Sequence, residues 1–151
     1  MSNIVWSPGY KKDKELIERV QHRFTRLFSN LKNLPYEERL DKLGLWTLEE
    51  RRNRADLIEV IKIFKGISAV PFDSMFERNL GRRTRGHSLK LKKHNCGIDV
   101  RSHFFSQRVV NRWNRPSSEV VQADSVNSFK NRLSKLRITR MGLLMDLPPG
   151  F

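Results

Sequence analysis

The residues best suited to metal or nucleophilic chemistry lie in one short stretch of the sequence: His87, His94, Cys96 and His103. Structural zinc sites take their ligands in tight pairs, and this spacing matches no such pattern. Cys96 beside a histidine could serve as a nucleophile, but no carboxylate is placed to orient the histidine. We favour the interpretation that His87 and His94 belong to a basic face, with a metal site as the alternative.

Other catalytic signatures are missing from the sequence. It contains no glycine-rich phosphate loop, no HExxH, no Cys-x-x-Cys and no two adjacent aspartates that could hold a pair of metal ions. The sequence therefore predicts a protein that is not an enzyme on its own and that needs no cofactor. We expect no nuclease or other metal-dependent activity from the isolated chain.

The charge of the chain points instead to binding. Its 30 Lys and Arg residues exceed its 16 Asp and Glu residues, giving a net charge of +14 at pH 7. Up to Gly66 there are 14 basic and 10 acidic residues, whereas from Ile67 onward there are 16 basic and 6 acidic. Such an excess favours nucleic acid, an acidic protein or an anionic membrane surface as partner.

Two groups of basic residues are the candidate phosphate contacts. The first lies in the stretch RRTRGHSLKLKKHN, which has no acid: Arg82, Arg83, Arg85, His87, Lys90, Lys92 and Lys93. The second follows one side of a predicted helix, within roughly 60° on a helical wheel: Arg101, Arg108, Arg112 and Arg115. Only His87 could stack on a base within the first group, so base-specific recognition should be weak. The alternative is that these cations form a solvated basic loop and helix face.

The elements that position these residues are mainly helical. We predict helices near residues 10–33, 35–43, 48–65, 103–114 and 126–138, forming a compact bundle of about five helices. The clearest signal is Thr47 followed by Glu50, a capping box at the start of a helix that Gly66 can end. Between the third and fourth helices, the alternating Ser88–Lys92 and the turn residues Asn95–Gly97 predict a small basic β-hairpin, with a disordered basic loop as the alternative.

Apolar periodicity predicts which side chains are buried. The first helix should bury a single stripe formed by Leu16, Ile17, Val20, Phe24, Leu27, Phe28 and Leu31. A shared core is expected to contain Ile58, Ile61, Phe64, Phe105, Val109 and Trp113. Ser102 should cap the fourth helix, and Asp124 or Ser125 the last. The apolar end, MGLLMDLPPGF, is expected either to pack back on the helices or to have continued into something else.

At 151 residues the chain suits a single domain, residues 1–151. We divide it into a three-helix part (1–66), a basic loop or hairpin (67–100), two C-terminal helices (101–146) and a tail (147–151). The one cysteine, Cys96, allows no internal disulfide, and no apolar run suits a signal peptide or a membrane span. We therefore expect an intracellular protein, in the nucleus or cytoplasm, with no membrane partner.

Several blocks of the sequence occur in an order that resembles a known family. They are WSPGYKKDKELIERVQHRFTRL, LPYEERLDKLGLWTLEERRNRADLIEVIKIFKG, RTRGHSLKL, FFSQRVVNRWN and SVNSFKNRL. Together, from about Trp6 to Asp146, they resemble the C-terminal region of the open reading frame of a non-LTR retrotransposon of the jockey or CR1-like kind. In that family the region follows the reverse transcriptase domain.

The resemblance implies a non-catalytic segment of an RNA-directed DNA polymerase that helps to bind template RNA or target DNA, with the upstream polymerase domain as a further partner. The chain departs from the family where Trp-Asn-x-Leu-Pro is usual, since Pro116 comes one place early in Trp113–Ser117. Two alternatives remain: a stand-alone or domesticated basic RNA- or DNA-binding protein, and a module that docks on the acidic face of another protein.

Overall fold

A computed structural model describes residues 11–81, 86–94 and 104–139. Seven helical segments lie within these residues. They are α1 (Lys11–Arg26), α2 (Tyr36–Leu43), α3 (Leu48–Phe64), α4 (Phe72–Met75), α5 (Phe105–Asn114), α6 (Ser118–Val121) and α7 (Val126–Thr139). The prediction of a mainly α fold is confirmed.

The central helix is α3, and its ends follow the predicted signals. The Glu50 backbone N–H donates to Thr47 Oγ1 at 3.2 Å, and the Thr47 hydroxyl in turn donates to the Glu50 carboxylate at 3.3 Å. The helix ends where Gly66 adopts a φ of 69°, a left-handed conformation that glycine takes without steric cost. Leu57 and Val60 are fully buried, because α3 packs against α1, α5 and α7.

The core forms where α5 and α7 cover α3. Trp113 is fully buried, and its ring stacks on Phe64 with ring centroids 5.3 Å apart and lies 6.1 Å from the ring of Phe129. Of the six predicted core residues, five are buried, and Phe64 is half-buried against the same cluster. The buried core around α3, α5 and α7 includes Leu57, Ile61, Val109, Trp113, Phe129 and Leu133.

The first helix differs from its prediction in length and in orientation. It ends at Arg26 rather than near residue 33, and turns follow up to Pro35. Its predicted buried stripe faces outward, apart from Leu31, which is buried in the turns, and Ile17, which is half-buried. The side chains that α1 buries are Gln21 and Thr25, so the prediction of a buried apolar stripe is wrong.

A polar seam explains why α1 turns this face inward. Gln21 Nε2 donates to the Trp46 carbonyl at 2.8 Å and to the Tyr36 hydroxyl at 3.0 Å. The Tyr36 hydroxyl donates to Glu18, whose two carboxylate oxygens each accept from the Leu48 N–H at 3.1 Å. Because the first N–H groups of α3 need acceptors, these polar side chains fix the face that α1 presents to α2 and α3.

Residues 67–81 form loops around the short helix α4, which matches the single helical turn expected there, and residues 86–94 form a further loop. No strand forms within the described residues, where one isolated antiparallel bridge joins Arg78 and Leu91. The expected partner strand, Ile98 to Val100, and its turn lie outside the described residues. Residues 86–94 therefore form an ordered loop that makes no strand, which is neither the predicted hairpin strand nor the disordered loop given as the alternative.

The last helices complete the fold. Ser125 caps α7, because its Oγ accepts from the Ser128 N–H at 3.1 Å, as predicted. Helix α6 was not expected, since Ser117 to Val121 is too short to carry a periodic pattern. Ser102, the predicted cap of α5, lies outside the described residues.

Candidate nucleic-acid interface

His87 anchors the basic segment of residues 86–94 to the core. Its imidazole is fully buried, with Nε2 2.8 Å from the Trp113 carbonyl and Nδ1 3.1 Å from the Leu89 N–H. Since a carbonyl accepts and an N–H donates, Nε2 carries the proton and Nδ1 is the acceptor. The ring is therefore neutral in this arrangement.

Trp113 and Asn114, at the end of α5, hold the next residues of the segment. Trp113 Nε1 donates to the Leu89 carbonyl at 2.8 Å. The Asn114 amide donates to the Leu91 carbonyl and accepts from the Leu91 N–H, both at 2.9 Å, as a neighbouring strand would. Leu91 is 1% exposed, so both its backbone and its side chain are fixed to the core.

Residues 77–79 hold the opposite edge of the segment. The Asn79 N–H donates to the Lys90 carbonyl at 2.9 Å, and the Lys92 N–H donates to the Glu77 carbonyl at 2.7 Å. We call the group His87, Trp113 and Asn114, together with residues 77–79, the clamp. Because the clamp satisfies backbone groups on both edges, it holds a lysine-rich loop in one conformation without a sheet.

The lysines of the clamped segment point to the outside. Lys92 and Lys93 are exposed, and Lys90 is half-buried. Leu91 is buried, and Leu89 is half-buried against the core, as is Lys90 between them, so the alternation predicted for residues 88–92 is only partly present. Glu77 lies 3.3 Å from Lys92 Nζ and 3.6 Å from His94 Nε2. Because exposed ion pairs contribute little free energy, a phosphate group could replace the Glu77 carboxylate as the partner of Lys92.

His87 itself is too deeply buried to contact a nucleic acid. Burial lowers the pKa of its imidazole below the usual value, although the hydrogen bond to the Trp113 carbonyl acts in the opposite direction and the positive charge of Lys90 lowers it further. A fully buried ring presents no face on which a base could stack. The expectation that His87 stacks on a base is therefore corrected: its contacts are those of a structural anchor.

The expected arginine ridge on α5 is not an exposed surface. Arg108 donates to both oxygens of Asp56 at 2.9 Å, and the side chains of the pair are 10% and 2% exposed. Arg112 is 6% exposed and Arg115 is half-buried. Arg108 lies against α3, where Asp56 supplies the compensating charge.

Four predicted contacts, Arg82, Arg83, Arg85 and Arg101, lie outside the described residues. So do Cys96 and His103 of the possible metal set. Within residues 11–81, 86–94 and 104–139, no three His, Cys, Asp or Glu side chains are grouped to hold a metal ion.

Sequence reasoning missed two features of the described residues. The clamp role of Trp113 and Asn114 depends on partners more than 20 residues away, which periodicity does not report. A second set of exposed cations lies along one edge of α1. The spacing of these residues in the sequence could have identified them: Lys12, Arg19, Arg23 and Arg26.

No protein-family model, curated protein sequence or solved structure matches this chain. None of the helices in the described part of the chain is long and apolar enough to cross a membrane. The retrotransposon resemblance thus remains a hypothesis from sequence blocks.

Proposed function

We propose that this chain is a nucleic-acid-binding module, and specifically the non-catalytic C-terminal segment of a retrotransposon RNA-directed DNA polymerase. The observation that carries the binding proposal is the clamp, which fixes a segment bearing Lys90, Lys92 and Lys93 against the buried core. Ordering a charged loop before binding lowers the entropy cost of ordering it on a phosphate backbone. The charge of +14 supplies the long-range attraction.

The geometry favours contact with phosphates over contact with bases. The described cations of the segment are lysines, which act as point charges. Of its two imidazole rings, His87 is buried, and His94 is exposed with its Nε2 3.6 Å from the Glu77 carboxylate. Phosphate contacts position a partner without reading its sequence. The proposed role is therefore to hold RNA or DNA for a polymerase domain elsewhere, with affinity that varies little between sequences.

The test compares the parent with a K90Q/K92Q/K93Q variant. Binding of a duplex DNA, a single-stranded DNA and an RNA hairpin is measured across a salt series. Each contacted phosphate contributes a log–log slope of about −0.9 on duplex DNA and about −0.7 on single strands. We expect the variant to bind all three probes more weakly and to show a flatter slope.

A matched control removes the same charge elsewhere. R19Q/R23Q/R26Q takes three exposed cations from α1 and lowers the net charge equally, so it should weaken binding less and keep the slope of the parent. Equal effects of the two variants would show that only net charge matters and would contradict the role of the clamped segment. Parent protein that binds none of the probes at low salt would contradict the proposed function itself.

A further inference from the structure

An open groove with a volume of about 630 Å³ lies between α6 and α7. We call it the α6–α7 groove. Ligand sites in proteins are concave, have volumes of about 300–1,000 Å³ and combine an apolar lining with a few convergent polar groups. The α6–α7 groove has this size and a mixed lining, so the chemistry of its side chains indicates what it can hold.

The α7 side of the groove is basic. It is formed by Arg132, Lys135 and Leu136, which lie on one face because residues three and four apart are neighbours on a helix. Arg132 donates to the Glu119 carbonyl of α6. A guanidinium has five N–H donors, so this bond holds the side chain beside the groove and leaves further donors for an anion. Arg132 and Lys135, one turn apart, can therefore contact a single phosphate group.

The rest of the lining is apolar or uncharged. Val120 is 7% exposed and Leu136 is half-buried against the core, so together they offer a fixed apolar surface. Ser117 and Gln122 are exposed, and their hydroxyl and amide groups can each donate and accept a hydrogen bond. The edge of a nucleobase needs both kinds of partner. A base with its phosphate thus matches this lining better than a small anion does.

The charge of the lining favours a nucleotide over an acidic peptide. Glu119 lies in the same groove, so its carboxylate accompanies the two cations, Arg132 and Lys135. A peptide with several carboxylates would be repelled by Glu119 as well as attracted by the cations. A nucleotide within a chain brings one negative charge for each phosphate, and its neutral base can lie near Glu119 without repulsion.

The groove lies beside the clamped segment. Lys90 Nζ and the Pro116 carbonyl oxygen lie 3.5 Å and 4.0 Å from the position that a Cβ on Gly86 would take. Pro116 directly precedes Ser117, which lines the groove. A strand whose phosphate contacts Lys90 can therefore place a neighbouring nucleotide in the groove. We propose that the α6–α7 groove binds one unpaired nucleotide of the strand that the clamped segment holds, an inference that rests on the proposed function.

Binding of a single-stranded and a duplex DNA at one salt concentration tests the groove. R132Q/K135Q removes two cations from the lining, and R19Q/R23Q removes two exposed cations from α1 as a matched control. Since hydrogen bonds to charged groups are strong, R132Q/K135Q should weaken single-strand binding about tenfold more than the control does. The two variants should weaken duplex binding alike, because paired bases are not available to the groove.

A second pair of variants avoids the risk that loss of Arg132 disturbs α6. Gln122→Glu puts a carboxylate into the groove at an exposed position, and Asn127→Asp adds the same charge at an exposed position of α7 outside the lining. Gln122→Glu should weaken single-strand binding more than Asn127→Asp does. If each groove variant behaves like its control while the parent binds the probes, the groove is wrong and the proposed function stands. A parent that binds neither probe contradicts the proposed function itself.

Titration of the parent, followed by nuclear magnetic resonance of the backbone amides, identifies the occupant. Cytidine monophosphate should shift the amides of Ser117 and Gln122 at a lower concentration than inorganic phosphate or a tetraglutamate peptide does. Equal shifts with inorganic phosphate would reduce the groove to an anion site. Stronger binding of the peptide would assign the groove to an acidic protein, and either result would overturn the proposal.

Discussion

Replacing Trp113 by alanine tests the core and the clamp together. The indole is fully buried between Phe64 and Phe129, and its Nε1 is the donor to the Leu89 carbonyl. Removing a buried aromatic side chain costs about 3–5 kcal/mol through lost packing and the remaining cavity. The unpaired Leu89 carbonyl adds about 1–3 kcal/mol if water does not reach it. Since domains are stable by about 5–15 kcal/mol, Trp113→Ala should remove a large share of the stability.

Urea unfolding followed by circular dichroism measures this loss. With a denaturant slope of roughly 2 kcal/mol/M, a loss of about 4 kcal/mol moves the midpoint down by about 2 M. Trp113→Phe should lose less, because the ring keeps most of the packing while the donor to Leu89 is absent. In this variant, the amide of Leu91 should exchange its hydrogen faster than the amides of α3, since one edge of the clamp is weakened.

Trp46→Ala is the control for residue type, because Trp46 is only half-buried at the edge of the core. It should lower the midpoint less than Trp113→Ala. If Trp113→Ala unfolds at the urea concentration of the parent, the core and the clamp are both assigned wrongly.

Three further outcomes are expected. Asp56→Ala should cost about 3–5 kcal/mol in the free energy of unfolding, because it leaves the buried Arg108 guanidinium without its carboxylate. Stability should fall as the pH drops below about 6.5, since the lowered pKa of His87 means that the unfolded chain binds a proton there before the folded chain does. Gly86→Ala should destabilise by about 1–3 kcal/mol, because φ is 101° and the new Cβ would lie 3.3 Å from the Lys90 side chain.

Each of these outcomes has its own control. Asp56→Ala/Arg108→Ala should recover part of the stability lost in the single variant, and additive losses would contradict the pair. His87→Asn should make the stability depend less steeply on pH below 6.5. Some dependence should remain, because burial also lowers the pKa of His22. If the variant loses stability with pH as the parent does, His87 is not the anchor. Gly81→Ala should cost less than Gly86→Ala, since Gly81 has no left-handed φ and its Cβ would approach only Asn79 Oδ1, at 3.1 Å, which accepts from the Gly81 N–H.

Local signals in the sequence were sufficient for most helix positions. The capping box at Thr47 and the left-handed Gly66 depend on neighbouring residues, and each lies where it was predicted. The row of Phe105, Val109 and Trp113 is buried because α5 has one strongly apolar side. These features could be read without knowing any partner.

The wrong predictions concern residues whose burial depends on partners that lie far away in the sequence. Helix α1 has an apolar side and a polar side, and periodicity alone favours burial of the apolar one. The Gln21 contacts to Tyr36 and Trp46 decide otherwise. Likewise, the buried position of Arg108 depends on Asp56, which is 52 residues away, and no local pattern identifies that carboxylate.

The pairing of Glu50 with Arg137 has a consequence for how the chain folds during synthesis. The two residues are 87 positions apart, and α7 also supplies Phe129 and Leu133 to the surface of α3. When α3 leaves the ribosome, the helices that cover its apolar side have not yet been made. A nascent chain must therefore keep Leu57 and Ile61 from aggregating until α5 and α7 emerge. A copy of this sequence interrupted before α7 would leave the part of α3 that α7 covers exposed to chaperones and proteases, and we expect it to have a short lifetime in the cell.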